Sequence, residues 1–398
     1  MTRERIAVTG MGIVCASGHT SEAFAAALEA GRPLEQPIRA FDCTPFSATT
    51  GCSVQIDPSE FLDKKGLRTL DRASKLTLVA GSLACKDAGL PAGESSALGI
   101  SLGCTYAGQS AQGEFDRETL RTGPQAVNPS SFPYTAFNAA AGTLAIRTGA
   151  MGPNLTFASG ITASHEAVDA AREFIHIGMA EVMLAGGVEA LSFDAMNEWS
   201  KLGFLGKDGE DRTPFSPAST GKRAGEGACL LVLERESRAK LRGARIHGFI
   251  AGAANRLAGS GEALGAALAS ACRAAVAEAG AGDIGFVSSG ANGNRIVDAA
   301  ELEAIAAVLA GASIPVTSTK AVLGETTSAS GALQIASALL ALARRKLPMI
   351  ADAASRSAAV QLVTTAMAPS QGRYVLCTAT SPHGSASAVI IEGANDGQ

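Results

Sequence analysis

The sequence predicts an α/β fold built from two similar halves with largely buried sheets. Three observations predict it. Short β-branched runs alternate with Ala-rich windows of helical period along the whole chain. Hydrophobic residues make up 46% of the 398 residues but aromatic ones only 5%, so the core is made of Ala, Val, Leu and Ile. The 45 glycines let packed elements approach closely. A chain of this length buries a large core and is expected to form two or three lobes. The polar stretch 235–243 divides it: residues 1–240 form one half, with an excursion at about 105–135, and residues 241–398 the other.

The elements follow in order. Residues 6–9 read as a strand leading into the Gly10-Met11-Gly12 turn. Residues 21–30 read as a helix, with Ser21 as N-cap and Gly31 just past its end. A long helical window covers 67–88. Residues 98–102 and 155–158 are strands, the second passing through Gly160 into a helix with Ile161, Ser164, Val168, Ala171 and Ile175 on one face. Residues 181–187 give a strand and a Gly pair. Residues 228–234 and 245–251 read as paired strands, because 235–243 between them is polar and turn-like. In the second half, 264–280, 300–309 and 331–346 are helical, 286–289 and 314–317 are strands, and 374–380 with 386–392 close the chain as a strand pair. The polar, Gly- and Pro-punctuated stretch 108–131 reads as an excursion from the core.

Composition excludes several function classes. A net charge of −4 and few rings argue against a nucleic-acid partner, which needs a basic surplus and stacking aromatics. The longest apolar stretches are too short to span a bilayer, and the N-terminus shows no secretory signal, so a cytoplasmic protein with no membrane partner is expected. The eight cysteines, at 15, 43, 52, 85, 104, 229, 272 and 377, form neither a disulfide framework nor a zinc pattern. They read as buried reduced thiols, which leaves open whether any does chemistry. The five histidines (His19, His165, His176, His247, His383) show no metal spacing. Gly10-Met11-Gly12 lacks the third Gly of a dinucleotide fingerprint, and Gly221-Lys222 lacks the rest of a P-loop. No metal and no cofactor is expected.

Six stretches together resemble the β-ketoacyl-ACP synthases of the thiolase superfamily. They are the opening Ile6-Ala7-Val8-Thr9-Gly10-Met11-Gly12; Leu70-Asp71-Arg72-Ala73-Ser74 through Asp87-Ala88-Gly89-Leu90; Gly152-Pro153-Asn154; Ala185-Gly186-Gly187-Val188-Glu189; Pro214-Phe215 through Gly225-Glu226-Gly227-Ala228; and Ser318-Thr319-Lys320 with Gly324. Each is weak alone, and their order and spacing agree over essentially the whole chain. The resemblance implies a thiolase-like fold in five layers, α/β/α/β/α. It also implies a Cys at a helix N-terminus that takes an acyl group as a thioester, and two His that assist decarboxylation and stabilise the enolate.

In this sequence the nucleophile position falls on Ile161, the first His position on Asn292, and the second on Glu325; only Lys320 is retained. Ile161 cannot form a thioester, and Asn292 cannot titrate near neutral pH. Glu325 is ordinarily an anion that would repel an enolate; it either pairs structurally with Lys320 or serves as a base for different chemistry. Ser159, Thr162 and Ser164 flank Ile161, but His165 lies on the wrong phase of the helix to activate them. Near the acyl entrance, Ser216, Ser219 and Lys222 replace the family's Asp, Arg and Phe, and Ser381-Pro382-His383-Gly384 replaces its Gly-Phe-Gly-Gly loop.

The resemblance therefore narrows to a chain-length factor, the ketosynthase β subunit of type II polyketide systems, spanning polyene, aryl polyene and aromatic pathways. Such a subunit is inactive alone, pairs with an active ketosynthase as a heterodimer, and walls the acyl tunnel during malonyl-ACP condensation. Candidate tunnel or interface residues are Tyr106, Phe132, Tyr134 and Phe137, which otherwise read as ordinary core or interface aromatics. Lys64, Lys65, Arg68 and Arg72 either dock the acidic acyl carrier protein or form a solvated helix face. An acyl-thioester enzyme using Glu325 and an acyl-binding regulatory relic are the alternative functions.

Overall fold

The computed structural model describes residues 3–90, 97–351, 360–370 and 372–394. In the first half the order is β1 (Ile6–Cys15), α1 (Ser21–Ala30), β2 (Gln36–Pro37), β3 (Thr50–Cys52), α2 (Arg72–Asp87), β4 (Leu98–Gly103), α3 (Ala107–Thr122), α4 (Ala139–Thr148), β5 (Asn154–Phe157), α5 (Ala163–His176), β6 (Val182–Glu189), α6 (Phe193–Lys201), β7 (Ala224–Gly225), β8 (Gly227–Arg235) and α7 (Glu236–Leu241). The second half continues with β9 (Gly248–Leu257), α8 (Leu264–Ala279), β10 (Ile284–Ser288), α9 (Arg295–Leu309), β11 (Pro315–Thr317), α10 (Lys320–Leu323), α11 (Ser330–Arg344), β12 (Gln361–Leu362), β13 (Tyr374–Thr380) and β14 (Ser385–Gly393).

One sheet runs β12-β11-β10-β13-β14-β9-β1-β8-β6-β4-β5 through both halves. The halves join where β1 pairs with β9 over Ile6–Val8. All ten residues of β1 are buried, as its unbroken apolar and small-residue run requires at the centre of a sheet covered on both faces. Helices α2 and α4 cover one outer face of the first half, and α8 and α9 the outer face of the second. Helices α5 and α11 lie between, touching strands of both halves, which gives the α/β/α/β/α layering. The small-residue composition explains how the layers fit. A Cβ on Gly12 would lie 1.8 Å from the Ala80 carbonyl oxygen, so α2 rests directly on the β1 backbone. The Asp71 carboxylate caps α2 by accepting from the Ala73 and Ser74 amides, a contact worth about 1 kcal/mol.

Five local expectations are corrected. Gly10-Met11-Gly12 is not a turn after the strand, because β1 runs through it to Cys15, paired with β8. Strands β8 and β9 do not pair with each other, because β1 lies between them. The stretch between them is not a turn but the short helix α7, supported by an i,i+4 Glu236–Lys240 pair at 2.7 Å. Thr20, not Ser21, caps α1. The window 67–88 breaks at Leu70 into a 3-10 turn (Leu67–Thr69) and then α2. The stretch 108–131 lies mostly in α3, whose only buried residues are Ala107 and Gly108. Among the described residues, no helix is long and apolar enough to cross a membrane.

Candidate functional site

After β5 the chain reverses at Gly160, whose φ of 71° favours a residue without a side chain. A 3-10 turn (Gly160–Thr162) then feeds α5. Ile161 is buried in this elbow. The neighbouring hydroxyls are mostly engaged. Thr162 donates to Glu166 at 2.7 Å, and Ser164 accepts from the Ala332 amide at 3.0 Å. His165 is no base for the elbow: its Nδ1 faces the Ser387 hydroxyl at 2.9 Å, and burial, helped by the Lys320 charge, lowers its pKa to about 3. None of the eight cysteines lies at the elbow. Burial raises the pKa of every thiol, to about 11 for Cys85 and about 12 for Cys52, so none is poised as a thiolate.

The other three positions come together although they are far apart in sequence. Asp298 on α9 accepts from the Asn292 and Gly293 amides, holding the loop after β10. Gly324, at φ 66°, ends α10 and turns Glu325 inward. One Glu325 oxygen accepts from Asn292 Nδ2 at 2.6 Å and Lys320 Nζ at 2.9 Å; the other accepts from the Thr327 amide at 2.8 Å and the Ser330 hydroxyl at 2.7 Å. Lys320 also donates to the Gly290 carbonyl at 2.9 Å. Burial alone would raise the Glu325 pKa. The Lys320 and Lys222 charges and the hydrogen bonds to its carboxylate outweigh that and hold it below the ordinary carboxylate range. Four donors saturate this carboxylate, so it is a closed anion and not an available base.

Two groups beside this network did not stand out in the sequence. Lys222, read there as the lysine of an incomplete P-loop and as the replacement of a Phe, is buried, with its ammonium 3.8 Å from the centre of the Trp199 ring. Tyr106 stacks edge-on against Trp199 at 5.7 Å, and its hydroxyl donates to Glu198 at 3.0 Å. Glu189, at the end of β6, accepts from the Thr105 and Tyr106 amides, and burial raises its pKa to about 7. The sign follows from linkage. From the ordinary value of 4.5 up to about 7, the folded chain holds a proton that the unfolded chain has lost, so stability falls as pH rises through that window and levels off above it. Glu189→Gln keeps an acceptor for one of the two amides, sets its NH2 near the other, and removes this titration. Urea midpoints at several pH values are expected to show a slope flatter than wild type by up to about 1.4 kcal/mol per pH unit. Parallel slopes would show that Glu189 does not titrate there; Asp298, raised to about 6 by burial, contributes equally to both proteins.

A cavity of about 580 Å³ opens on the other side of Tyr106, between α3 and the core. Tyr106 and Tyr134 line it together with Phe41, Phe115 and Phe193. Phe132 and Phe137 do not; they are 62% and 53% exposed. In the basic run, Lys64, Lys65 and Arg68 are exposed. Arg72 is not free to meet a partner, because its guanidinium binds Glu226 and the Val54 carbonyl.

The Beta-ketoacyl synthase N-terminal domain matches residues 3–239, and its C-terminal domain residues 244–354. The chain is 29% identical over 374 residues to 3-oxoacyl-[acyl-carrier-protein] synthase 2 of Vibrio cholerae, covering 87% of this chain and 88% of that protein. It is 30% identical over 361 residues to Nodulation protein E of Rhizobium sp., with the same coverage. Among solved structures it superposes on the ishigamide ketosynthase/chain length factor with a TM-score of 0.92 at 24% identity, covering 99% of this chain and all of that one. It superposes on a Beta-ketoacyl synthase from Burkholderia phymatum with a TM-score of 0.89 at 25% identity, covering 98% of this chain and all of that one. With both halves of the chain matched and the elbow, the β10 loop and the Lys320 segment meeting at one place in the fold, this chain belongs to the beta-ketoacyl synthase family.

Proposed function

We propose that this chain is the non-catalytic, chain-length-setting partner of an active ketosynthase in a type II polyketide system. The observation that carries this reading is the closed Asn292–Glu325–Lys320 network beside an elbow that holds Ile161. Where the resemblance puts two titrating imidazoles, the chain has a neutral amide and a carboxylate with no free acceptor site. Where it puts a thiolate, there is a hydrocarbon. What remains is a shaped scaffold, and the rings in the mixed aromatic and charged lining of the cavity beside Tyr106 and Tyr134, which also holds Glu114, Arg117 and Asp194, are read as a stretch of acyl-tunnel wall.

The same reading needs a partner surface. Among the described residues, strand β5 ends the sheet and pairs only with β4, leaving a row of backbone groups open to another chain. Met151, just before β5, is 79% exposed, and Ile146, on α4 which packs against β5, is 84% exposed. Two structures of the same fold support this reading: one is titled a ketosynthase/chain length factor, another a type II PKS acyl-carrier protein in complex with its ketosynthase. The partner is accordingly a ketosynthase with an intact Cys and both His, and the substrate arrives on an acyl carrier protein.

Co-expression with such a ketosynthase tests the reading. A 1:1 complex is expected that condenses malonyl-ACP, whereas this chain alone takes up no labelled acyl group from acyl-ACP. A stable homodimer indifferent to the ketosynthase, or acyl loading by the isolated chain, would overturn it.

A further inference from the structure

Trp199 is the single tryptophan of the chain, and its ring touches both a buried cation and a ring of the cavity wall. The Lys222 ammonium lies 3.8 Å from the centre of the indole. The Tyr106 phenol meets the same indole edge-on, with centres 5.7 Å apart. Tyr106 in turn lines the cavity of about 580 Å³. Three side chains thus form an unbroken series from Lys222 to the cavity.

The Lys222 end of the series is anchored. Its amide donates to the Phe204 carbonyl at 2.8 Å, and its carbonyl accepts from the Gly206 amide at 3.1 Å. Phe204 is tied to α6, its amide donating to the Trp199 carbonyl at 2.9 Å. The main chain of Lys222 is therefore fixed against the end of the helix that carries Trp199. Both residues are buried. Among the described residues Nζ has no hydrogen-bond acceptor, so the faces of Trp199 and, at 5.8 Å, Phe204 orient it. Burial lowers its pKa to about 8, with Lys320 acting the same way, while the Glu325, Glu198 and Glu189 carboxylates favour the charge. At neutral pH the group is accordingly an ammonium, and an ammonium out of water on an indole face is the strong form of this contact.

The Tyr106 end responds to what holds the indole. The Tyr106 amide is fixed by Glu189, and its hydroxyl donates to Glu198, the residue before Trp199 on α6. Helix α6 also places Phe193 in the cavity lining, where it meets Phe41 edge-on at 6.4 Å. An indole released from Lys222 loosens α6 and with it two rings of that wall.

We infer that Lys222 is a positioning residue for the cavity wall: through Trp199 it holds Tyr106 in place, and so helps set the length of acyl chain the cavity admits. The length effect rests on the function proposed above; the positioning effect belongs to the isolated chain. Lys222→Met keeps the length and apolar stem of the side chain and removes its charge, and Lys222→Arg restores a cation able to stack on the indole.

The first readout is acrylamide quenching of Trp199 fluorescence in the full chain alone. Quenching is expected to rise at least about twofold in Lys222→Met and to return close to wild type in Lys222→Arg. Unchanged quenching in folded Lys222→Met overturns the proposal. In case Lys222→Met does not fold, the wild-type chain is followed from about pH 7 to about pH 9, where Lys222 loses its proton. Quenching is then expected to rise in wild type and to stay level in Lys222→Arg, in which Glu189 still titrates; equal profiles overturn the proposal. The second readout is the length of the carrier-bound chains made by the complex with an active ketosynthase. Lys222→Met and Tyr106→Ala are each expected to lengthen them by at least about one extension unit, and Lys222→Met is expected to add nothing once Tyr106→Ala is present. Lengthening by Tyr106→Ala but not by Lys222→Met, or additive effects of the two, overturns the role of Lys222 and leaves the proposed function standing. A wild-type mixture that forms no condensing complex overturns the proposed function and the length effect with it, and the quenching measurements alone then decide the positioning.

Discussion

Glu325→Gln is expected to destabilise the fold by about 3–5 kcal/mol, the cost of leaving one partner of a buried ion pair uncompensated. The substitution keeps the shape of the side chain but turns one acceptor oxygen into an NH2 that faces two of the four donors, so the loss combines the charge with two hydrogen bonds. Lys320 would retain the Gly290 carbonyl but lose its anion, and Lys222 would lose the carboxylate whose field most favours its charged form. Pairing the change with Lys320→Met removes the orphaned cation and is expected to recover most of the loss, because a buried pair replaced as a unit is close to neutral. The pH dependence has a definite sign. The folded-state pKa of Glu325 lies below its ordinary 4.5, so its contribution is fully present above that value and fades only as pH falls beneath it. The deficit of the single variant should therefore be constant near neutrality and shrink in acid. Urea unfolding of the four proteins of this cycle decides the matter. A single variant within about 0.5 kcal/mol of wild type would show that the network is not structural.

That network shows where sequence reading reached and where it stopped. The resemblance brought Ile161, Asn292, Lys320 and Glu325 forward, because each stands at a fixed offset from a recognisable local motif. It left Glu325 with two roles, and the choice depended on residues no local motif connects. Ser330 and the Thr327 amide complete the carboxylate, and only the turn at Gly324 brings them there. Lys222 read as a missing Phe because its meaning comes from Trp199 and Phe204, which precede it by a loop and a helix. The same limit appears in the fold. Periodicity gave β13 paired with β14, which are separated by a tight turn. It misplaced β8 against β9 because the strand between them, β1, comes from the other end of that half of the chain. Helix α7 was legible after all, since Glu236 and Lys240 are spaced i,i+4.

The largest effect on assembly is expected from the open edge of the sheet. Ile146→Asp and Met151→Asp should each weaken the complex with an active ketosynthase by at least about 2 kcal/mol, roughly thirtyfold in Kd, and together abolish it at micromolar concentrations. The reasoning starts from exposure. These side chains are among the most exposed large apolar groups in the described chain; Met151 lies just before β5 and Ile146 on α4, which packs against β5, and the outer backbone groups of β5 meet no strand among the described residues. A partner strand on that edge would bury both side chains in a largely apolar interface, where an aspartate carries the desolvation penalty of a charge with no counter-ion. In the isolated chain the same aspartates remain in water, so its folding stability should change by no more than about 0.5 kcal/mol. Leu241→Asp provides the control. Leu241 is 91% exposed but ends α7, on the segment that links the two halves, and it should leave complex formation unchanged. Sedimentation of the mixed subunits at several concentrations measures all of these. If the edge variants bind as tightly as wild type, β5 is not the assembly surface. If Leu241→Asp is the one that dissociates the complex, the ketosynthase docks at α7 and not on the β5 edge.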